Sequence, residues 1–243
     1  MTLAAAINRV ATPRRAASTF AVEAALLDIE GTISPLAYVR EVLFPFAAAR
    51  LAEFVRRRGG DPKVAALLDE ARRLAGGADP VAALEAWQRD DVKAPPLKAL
   101  QGLIWAEGYA QGAFSSPIYP DALEAMRRWR GEGLPLYIYS SGSLQAQELF
   151  FEHSAAGDLR RLFAGRFDTT VGAKTDAASY ARVAARIGAA PAAILFCSDN
   201  AAELVAAEAA ELQVAHVVKD GARPDPRWPA VGDFSEIVLY PRR

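Results

Sequence analysis

Asp28 and Glu30 stand one residue apart at the end of an apolar run, Ala24-Ala25-Leu26-Leu27, and are followed by Gly31 and Thr32. In an extended segment alternate side chains share a face, so two acids at this spacing can serve one site as nucleophile and proton donor. Gly31 lets the backbone turn tightly beside them. Two further apolar runs end in polar residues: 134–139 leads into Ser140-Ser141-Gly142-Ser143, and 194–197 leads into Ser198-Asp199-Asn200, with Lys174 in a loop between them. A carboxylate for attack, a second carboxylate to help hold a cation, hydroxyls and an ammonium are the parts that phosphoryl transfer through an aspartyl phosphate requires. Asp28 and Asp199 are the natural ligand pair for magnesium, which prefers oxygen ligands and keeps several waters. The metal and Lys174 would neutralise the repulsion between these carboxylates and an incoming phosphate. Ser140, Ser141 and Gly142 can offer hydroxyl and N–H donors to phosphate oxygens at a helix start. Each of these residues alone would pass as a helix cap or a solvated loop residue. Their recurrence in chain order at strand ends points to one site. Glu203 is expected as an acid of the sort favoured in any first helical turn, and His153 and His216 as structural histidines.

The elements that must position these residues follow from periodicity. After the opening strand, residues 36–114 read as helices without a strand. Val39, Val42, Leu43, Phe46, Leu51, Phe54 and Val55 recur at helical spacing, with Pro45 set to kink or divide the helix. A second pattern runs through Val64, Leu67, Leu68, Ala71 and Leu74 to Gly76-Gly77, and Asp79-Pro80 caps a third carrying Val81, Leu84 and Trp87. A last helix runs over 97–109. From Ser115 onward helices at 120–130, after Ser143, around Tyr180 and from Ala201 alternate with strands at 134–139, 167–171, 194–197 and 214–218. That alternation predicts an α/β fold, a doubly wound parallel sheet. The expected organisation is a core formed by 23–35 and 115–243, an inserted all-helical cap over 36–114, and a flexible extension over 1–22.

The chain has 243 residues, 52% hydrophobic and 23% charged, within the range of a globular protein with a substantial core. A formal net charge of −1 gives no reason to expect a nucleic-acid surface. The single cysteine, Cys197, cannot form an internal disulfide and reads as a small core residue. No apolar run has the length to span a bilayer, so a cytoplasmic enzyme without a membrane partner is expected. Without heptads or a long apolar stripe, a monomer is the default. Residues 1–22 hold Arg9, Arg14 and Arg15 and no acid, a bias shared by organellar transit peptides, but Pro13 interrupts the apolar pattern and an extension is the expectation.

The ordered set Asp28-Ile29-Glu30-Gly31-Thr32, Ser140, Lys174 and Asp199 resembles the four motifs of the haloacid dehalogenase-like hydrolase superfamily. Most phosphatases of that superfamily carry Asp where this chain has Glu30. DIEGTISPLAYVREVLFPF, IYSSGSLQAQELFFEHSAAGDL and LQGLIWAEGYAQG are similar to the acireductone synthase family, the enolase-phosphatases of methionine salvage, over nearly the whole chain from Glu23. The resemblance implies a haloacid dehalogenase-like core with a helical cap inserted after the first strand. It implies Asp28 as nucleophile and Glu30 as general acid and base. One Mg2+ would be held by Asp28, Glu30 through its side chain or backbone carbonyl, and Asp199. Ser140, Ser141 and Lys174 would bind the phosphate, Lys174 also stabilising the aspartyl phosphate. The implied reaction takes a small-molecule phosphate, 5-(methylthio)-2,3-dioxopentyl phosphate, through an enol phosphate to the acireductone and phosphate in one site. The alternatives are another capped phosphatase of the superfamily, acting on a sugar phosphate or nucleotide, and a catalytically silent scaffold, which Asp28 and Asp199 argue against. Gln101-Gly102, Trp105 and Tyr109 favour methionine salvage, although Trp105 and Tyr109 also suit simple cap-core packing. Ala173 and Asn200 depart modestly from the pattern.

Overall fold

The computed structural model describes residues 17–90, 92–219 and 221–241. Strand β1 (Ser18–Val22) leads into β2 (Ala24–Leu27), which delivers the first acidic motif. A helical segment follows, in which α1 (Leu36–Tyr38) and α2 (Phe44–Ala48) flank a π turn over Val39–Leu43. Pro45 has no N–H to return to the preceding turn, and the wider turn just before it, closed by Phe44 N–H on the Val39 carbonyl, is how the helix accommodates the proline without a break.

Helices α3 (Leu51–Arg58), α4 (Pro62–Leu74), α5 (Pro80–Arg89) and α6 (Pro95–Ala110) complete the helical region. Asp61 and Asp79 cap α4 and α5 by accepting from Lys63 N–H and Ala82 N–H, each with proline at the first helical position. These helices bury Leu51, Phe54, Val64, Leu84, Leu97, Leu100 and Ile104 against one another, a core separate from those of the sheet.

The rest of the chain alternates. Helix α7 (Pro120–Gly131) precedes β3 (Leu136–Tyr139), α8 (Leu144–Glu152) precedes β4 (Phe163–Phe167), and α9 (Ala177–Ile187) precedes β5 (Ile194–Ser198). Helix α10 (Ala201–Ala209) then leads to β6 (Gln213–Val217), β7 (Ala230–Val231) and β8 (Ile237–Pro241). The main sheet runs β4-β3-β2-β5-β6-β7 with every pairing parallel. Alternate residues of β2 enter different cores. Ala25 and Leu27 pack with Met126, Trp129 and Phe151 of α7 and α8, while Ala24 and Leu26 pack with Tyr180, Val183 and Leu204 of α9 and α10. Helices therefore cover both faces, as a parallel sheet requires.

The chain builds from β2 outward to β3 and β4, then returns to β5 on the other side, so the strand order reverses at β2. A crevice opens beyond the carboxyl ends of the strands at such a reversal. The site is expected there.

Two expectations from the sequence are corrected. The extension at 1–22 does not run to its end: Ser18–Val22 is β1, which pairs in parallel with β8 and buries Phe20 and Val22. Its alternation covers only five residues and its partner lies at the far end of the chain, so periodicity alone carried little signal. Residues 1–16 of that expectation fall outside the described residues. The strand expected at 167–171 is β4, ending at Phe167. The β-branched run 169–171 instead forms a turn, because Asp168 accepts from Thr170 N–H (3.0 Å) and from Leu144 N–H (3.1 Å). Among the described residues no helix is long and apolar enough to cross a membrane.

Candidate active site

Asp28 follows β2 directly, and its N–H donates to the Cys197 carbonyl (3.0 Å) of the neighbouring β5, so the pairing of the strands fixes its height at the sheet edge. The chain then turns: N–H groups of Thr32, Ile33 and Ser34 donate to the Ile29 carbonyl, and Gly31 N–H donates to the Ser34 carbonyl (2.8 Å). Gly31 has φ +75°, and a Cβ there would collide with the Asp199 carboxylate. Glycine is thus needed both for the backbone conformation and for the close approach of the acid.

Asp28 is buried, 4% exposed, as is Lys174, 7% exposed, and the two form an ion pair. Lys174 also pairs with Glu203 (2.6 Å), whose carboxylate accepts from Ser198 Oγ (3.0 Å). Burial alone would pull the Lys174 ammonium down, but Asp28 and Glu203 outweigh it and hold the lysine above its ordinary range, cationic. Thr32 Oγ donates to Asp28 Oδ2 (3.3 Å) and accepts from Asp199 N–H (3.1 Å), so one hydroxyl ties the ends of β2 and β5 together. Glu30 lies two residues beyond Asp28, where Ser140 Oγ donates to it (3.1 Å), and Ser140 Oγ in turn accepts from Gly142 N–H (3.1 Å).

Four carboxylates, from Asp28, Glu30, Asp199 and Glu203, therefore surround one lysine. Burial first and the Asp28 charge second raise Glu30 above the ordinary carboxylate range, push Asp199 up to about 6 and Glu203 up to about 7. An all-oxygen cluster short of positive charge is what a hard divalent cation fits. Among the described residues no group of three His, Cys, Asp or Glu side chains is placed to hold a metal ion. Magnesium does not need one, since it is usually bound by one or two carboxylates with waters and substrate phosphate completing its shell.

Glu30, Ser140 and Ser141 line a cavity of about 590 Å³ roofed by residues of α2, α5, α6 and the π turn. Its lining includes the polar Lys98 and Gln101 and the apolar Leu43, Phe44, Trp105 and Leu149. Lys98 Nζ donates to the Ser141 carbonyl (3.0 Å), joining α6 to the loop after β3.

All the residues singled out in the sequence gather at this edge, but not equally. Asp28, Lys174 and Asp199 share one network through Thr32, Glu30 and Ser140 form a pair beside it, and Ser141 is exposed on the cavity wall and meets α6 through its carbonyl. Glu203, read only as a first-turn acid, is a full member. Its signal was its place in the first turn of α10, the helix that begins directly after the β5 end carrying Asp199. Thr32 and Lys98 were missed. His216 is structural as expected: it accepts from Asp225 N–H at Nδ1 (3.2 Å), which leaves Nε2–H to donate to the Asp199 carbonyl (3.3 Å). His153 stacks on Tyr109.

Comparison with known proteins agrees with this geometry. A profile of the haloacid dehalogenase-like hydrolases matches residues 22–211. "Enolase-phosphatase E1" of Bradyrhizobium sp. strain BTAi1 is 56% identical over 217 residues, covering 89% of this chain and 94% of that protein. "Enolase-phosphatase E1" of Pseudomonas aeruginosa strain UCBPP-PA14 is 48% identical, covering 90% of this chain and 99% of that protein. The crystal structure of the UTR4 protein of Saccharomyces cerevisiae superposes with a TM-score of 0.74 at 32% identity, covering 88% of this chain and 99% of that one. CbbY from Rhodobacter sphaeroides, at 17% identity and a TM-score of 0.60, shares the fold; the match covers 88% of this chain and 96% of that one. The chain belongs to the haloacid dehalogenase-like hydrolases and, within them, to the enolase-phosphatase E1 family.

Proposed function

We propose that the chain converts 5-(methylthio)-2,3-dioxopentyl phosphate to the acireductone 1,2-dihydroxy-5-(methylthio)pent-1-en-3-one and phosphate, by enolisation and then dephosphorylation in one site, as a cytoplasmic, monomeric enzyme of methionine salvage. The observation that carries it is the Asp28–Lys174 pair beside Glu30, with Glu30 on the wall of a cavity lined by both polar and apolar side chains. Residues 36–114 act as the cap that closes over the leaving group.

In the first step the Glu30 carboxylate takes a proton from C1 of the substrate, the C–H electron pair becomes the C1–C2 double bond, and Glu30 passes that proton to the C2 oxygen, which completes the enol and leaves Glu30 a carboxylate. In the second, with Glu30 protonated again from solvent, an Asp28 oxygen attacks phosphorus, the bond from phosphorus to the C1 oxygen breaks, and Glu30 gives its proton to that departing enol oxygen. Water then opens the aspartyl phosphate with Glu30 as base. A carboxyl raised by burial and a neighbouring acid holds a proton more readily than an ordinary one, which suits a group that must both take and give a proton. Ser140 and Ser141 supply phosphate donors, and Lys174 balances the charge on Asp28 before and after attack. Asp28, Glu30 and Asp199 would hold one Mg2+, which when bound shields the phosphoryl oxygens and polarises the adjacent carbonyl.

The test follows enol absorbance and phosphate release without oxygen, with magnesium, for the wild type and Asp28→Asn. Enol formation and phosphate release in the wild type, with release abolished in Asp28→Asn, is the expected result. A wild type that ignores this substrate yet hydrolyses simple phosphate esters would overturn the substrate assignment.

A further inference from the structure

In the network around Asp28 the charge of Lys174 is already shared by two carboxylates. Enolisation creates a negative charge elsewhere, on the C2 oxygen, and that charge needs a donor of its own. Of the cavity's cations, Lys93 and Arg40 are exposed, whereas Lys98 is half-buried and fixed. Its polar partner is the neutral carbonyl of Ser141, which takes one of the three donors of an ammonium (3.0 Å). The neighbouring residue on that loop, Ser140, holds Glu30 (3.1 Å). The base and this cation thus hang on consecutive residues, whose Cα atoms are about 3.8 Å apart, and both line one cavity. A donor preset beside the place where charge develops, in a site partly shielded from water, is the arrangement that stabilises an enolate.

We propose that Lys98 of the cap is a catalytic residue of the enolisation step, donating to the C2 oxygen as the C1 proton passes to Glu30. The C1–H pair forms the new double bond, the C2–O π pair becomes the oxygen lone pair held by Lys98, and Glu30 delivers its proton to that oxygen. No proton is gained or lost overall. The proposal rests on the enolase-phosphatase reading above. It adds a division of labour, in which the cap supplies the donor for the enolate of the first step beside Glu30 of the core, and the core alone carries the second.

Lys98→Met and Lys98→Arg separate the possibilities. Each is assayed with the dioxopentyl phosphate, with the same substrate dideuterated at C1, and with p-nitrophenyl phosphate, which needs no enolisation. In Lys98→Met, enolisation is expected to fall about 10²-fold further than p-nitrophenyl phosphate hydrolysis falls, the scale of losing one preset oxyanion donor. Phosphate release from the deuterated substrate should show an isotope effect larger than in the wild type, and Lys98→Arg should recover part of the rate. If both activities fall equally, Lys98 holds the phosphate or the cap, and the proposal is overturned. A raised KM with unchanged kcat for the dioxopentyl phosphate overturns it too. A wild type that forms no enol would instead sink the underlying reading while its ester hydrolysis remained.

Discussion

Gly31 shows how little room this chemistry leaves to a single residue. The turn after Asp28 requires φ +75° at Gly31, where a residue with a Cβ is strained by about 1–2 kcal/mol. The same Cβ would occupy the space of the Asp199 carboxylate. Strain of that size is small beside the stability of a domain, so Gly31→Ala should still fold. It should, however, push Asp199 away from Asp28 and lower magnesium affinity at least about tenfold, a change of about 1.4 kcal/mol, together with hydrolysis of any phosphate ester. Calorimetric titration with magnesium, alongside circular dichroism for the fold, checks this; an unchanged affinity would remove Asp199 from the metal set. The placement of Asp28, Glu30 and Gly31 at the end of a buried strand was legible because residue type and spacing both constrain it. Thr32 was not legible as a link between two strands: its hydroxyl meets Asp199 N–H only because β2 and β5 are neighbours, and sequence order places Asp199 far away.

Helix α6 carries two glycines whose surroundings demand opposite outcomes. A Cβ on Gly108 would lie 2.7 Å from ring atoms of both Phe46 and Phe114, rigid groups packed edge to face. One on Gly102 would find only Gln145 Oε1 at 4.0 Å. Replacing glycine by alanine inside a helix gains about 1 kcal/mol from the backbone. At Gly102 that gain is unopposed, and Gly102→Ala should raise stability by about 0.5–1 kcal/mol. At Gly108 forcing two aromatic rings apart costs about 1–3 kcal/mol, which outweighs it, so Gly108→Ala should destabilise. Urea unfolding midpoints of the two variants should move in opposite directions from the wild type. Such differences lie beyond sequence reading, because both glycines look alike in a helical pattern. The elements themselves were largely legible: Asp79-Pro80 marked a helix start, and the strands ending at Tyr139 and Ser198 were marked by apolar runs that close in polar turns. Elements resting on distant partners were not, as β1 against β8 shows, and neither was β4, where Asp168 turned a β-branched run into a loop.

For the molecule as a whole, the acidic cluster sets an unusual dependence of stability on pH. Glu203 is pushed up to about 7 and Asp199 up to about 6 from ordinary values of 4.5 and 3.8, in both cases by burial first and Asp28 second. A carboxyl whose folded value is raised binds its proton more tightly in the native state than in the unfolded one. Between about pH 4.5 and about pH 7 the native state then carries the excess protons, and stability must fall as pH rises. Lys174 works in the other range: its value is raised, so its contribution is complete below its ordinary value of 10.5 and is lost only above that. In the presence of a chelator the urea midpoint should therefore decline from about pH 5 to about pH 7.5. Saturating magnesium should reverse that slope, because the ion binds the deprotonated native cluster and stabilises it more as protons leave. Urea titrations at several pH values, with chelator and with magnesium, give two curves that diverge as pH rises if these carboxylates hold the metal. Two parallel curves would show that the cluster balances its charge through Lys174 alone.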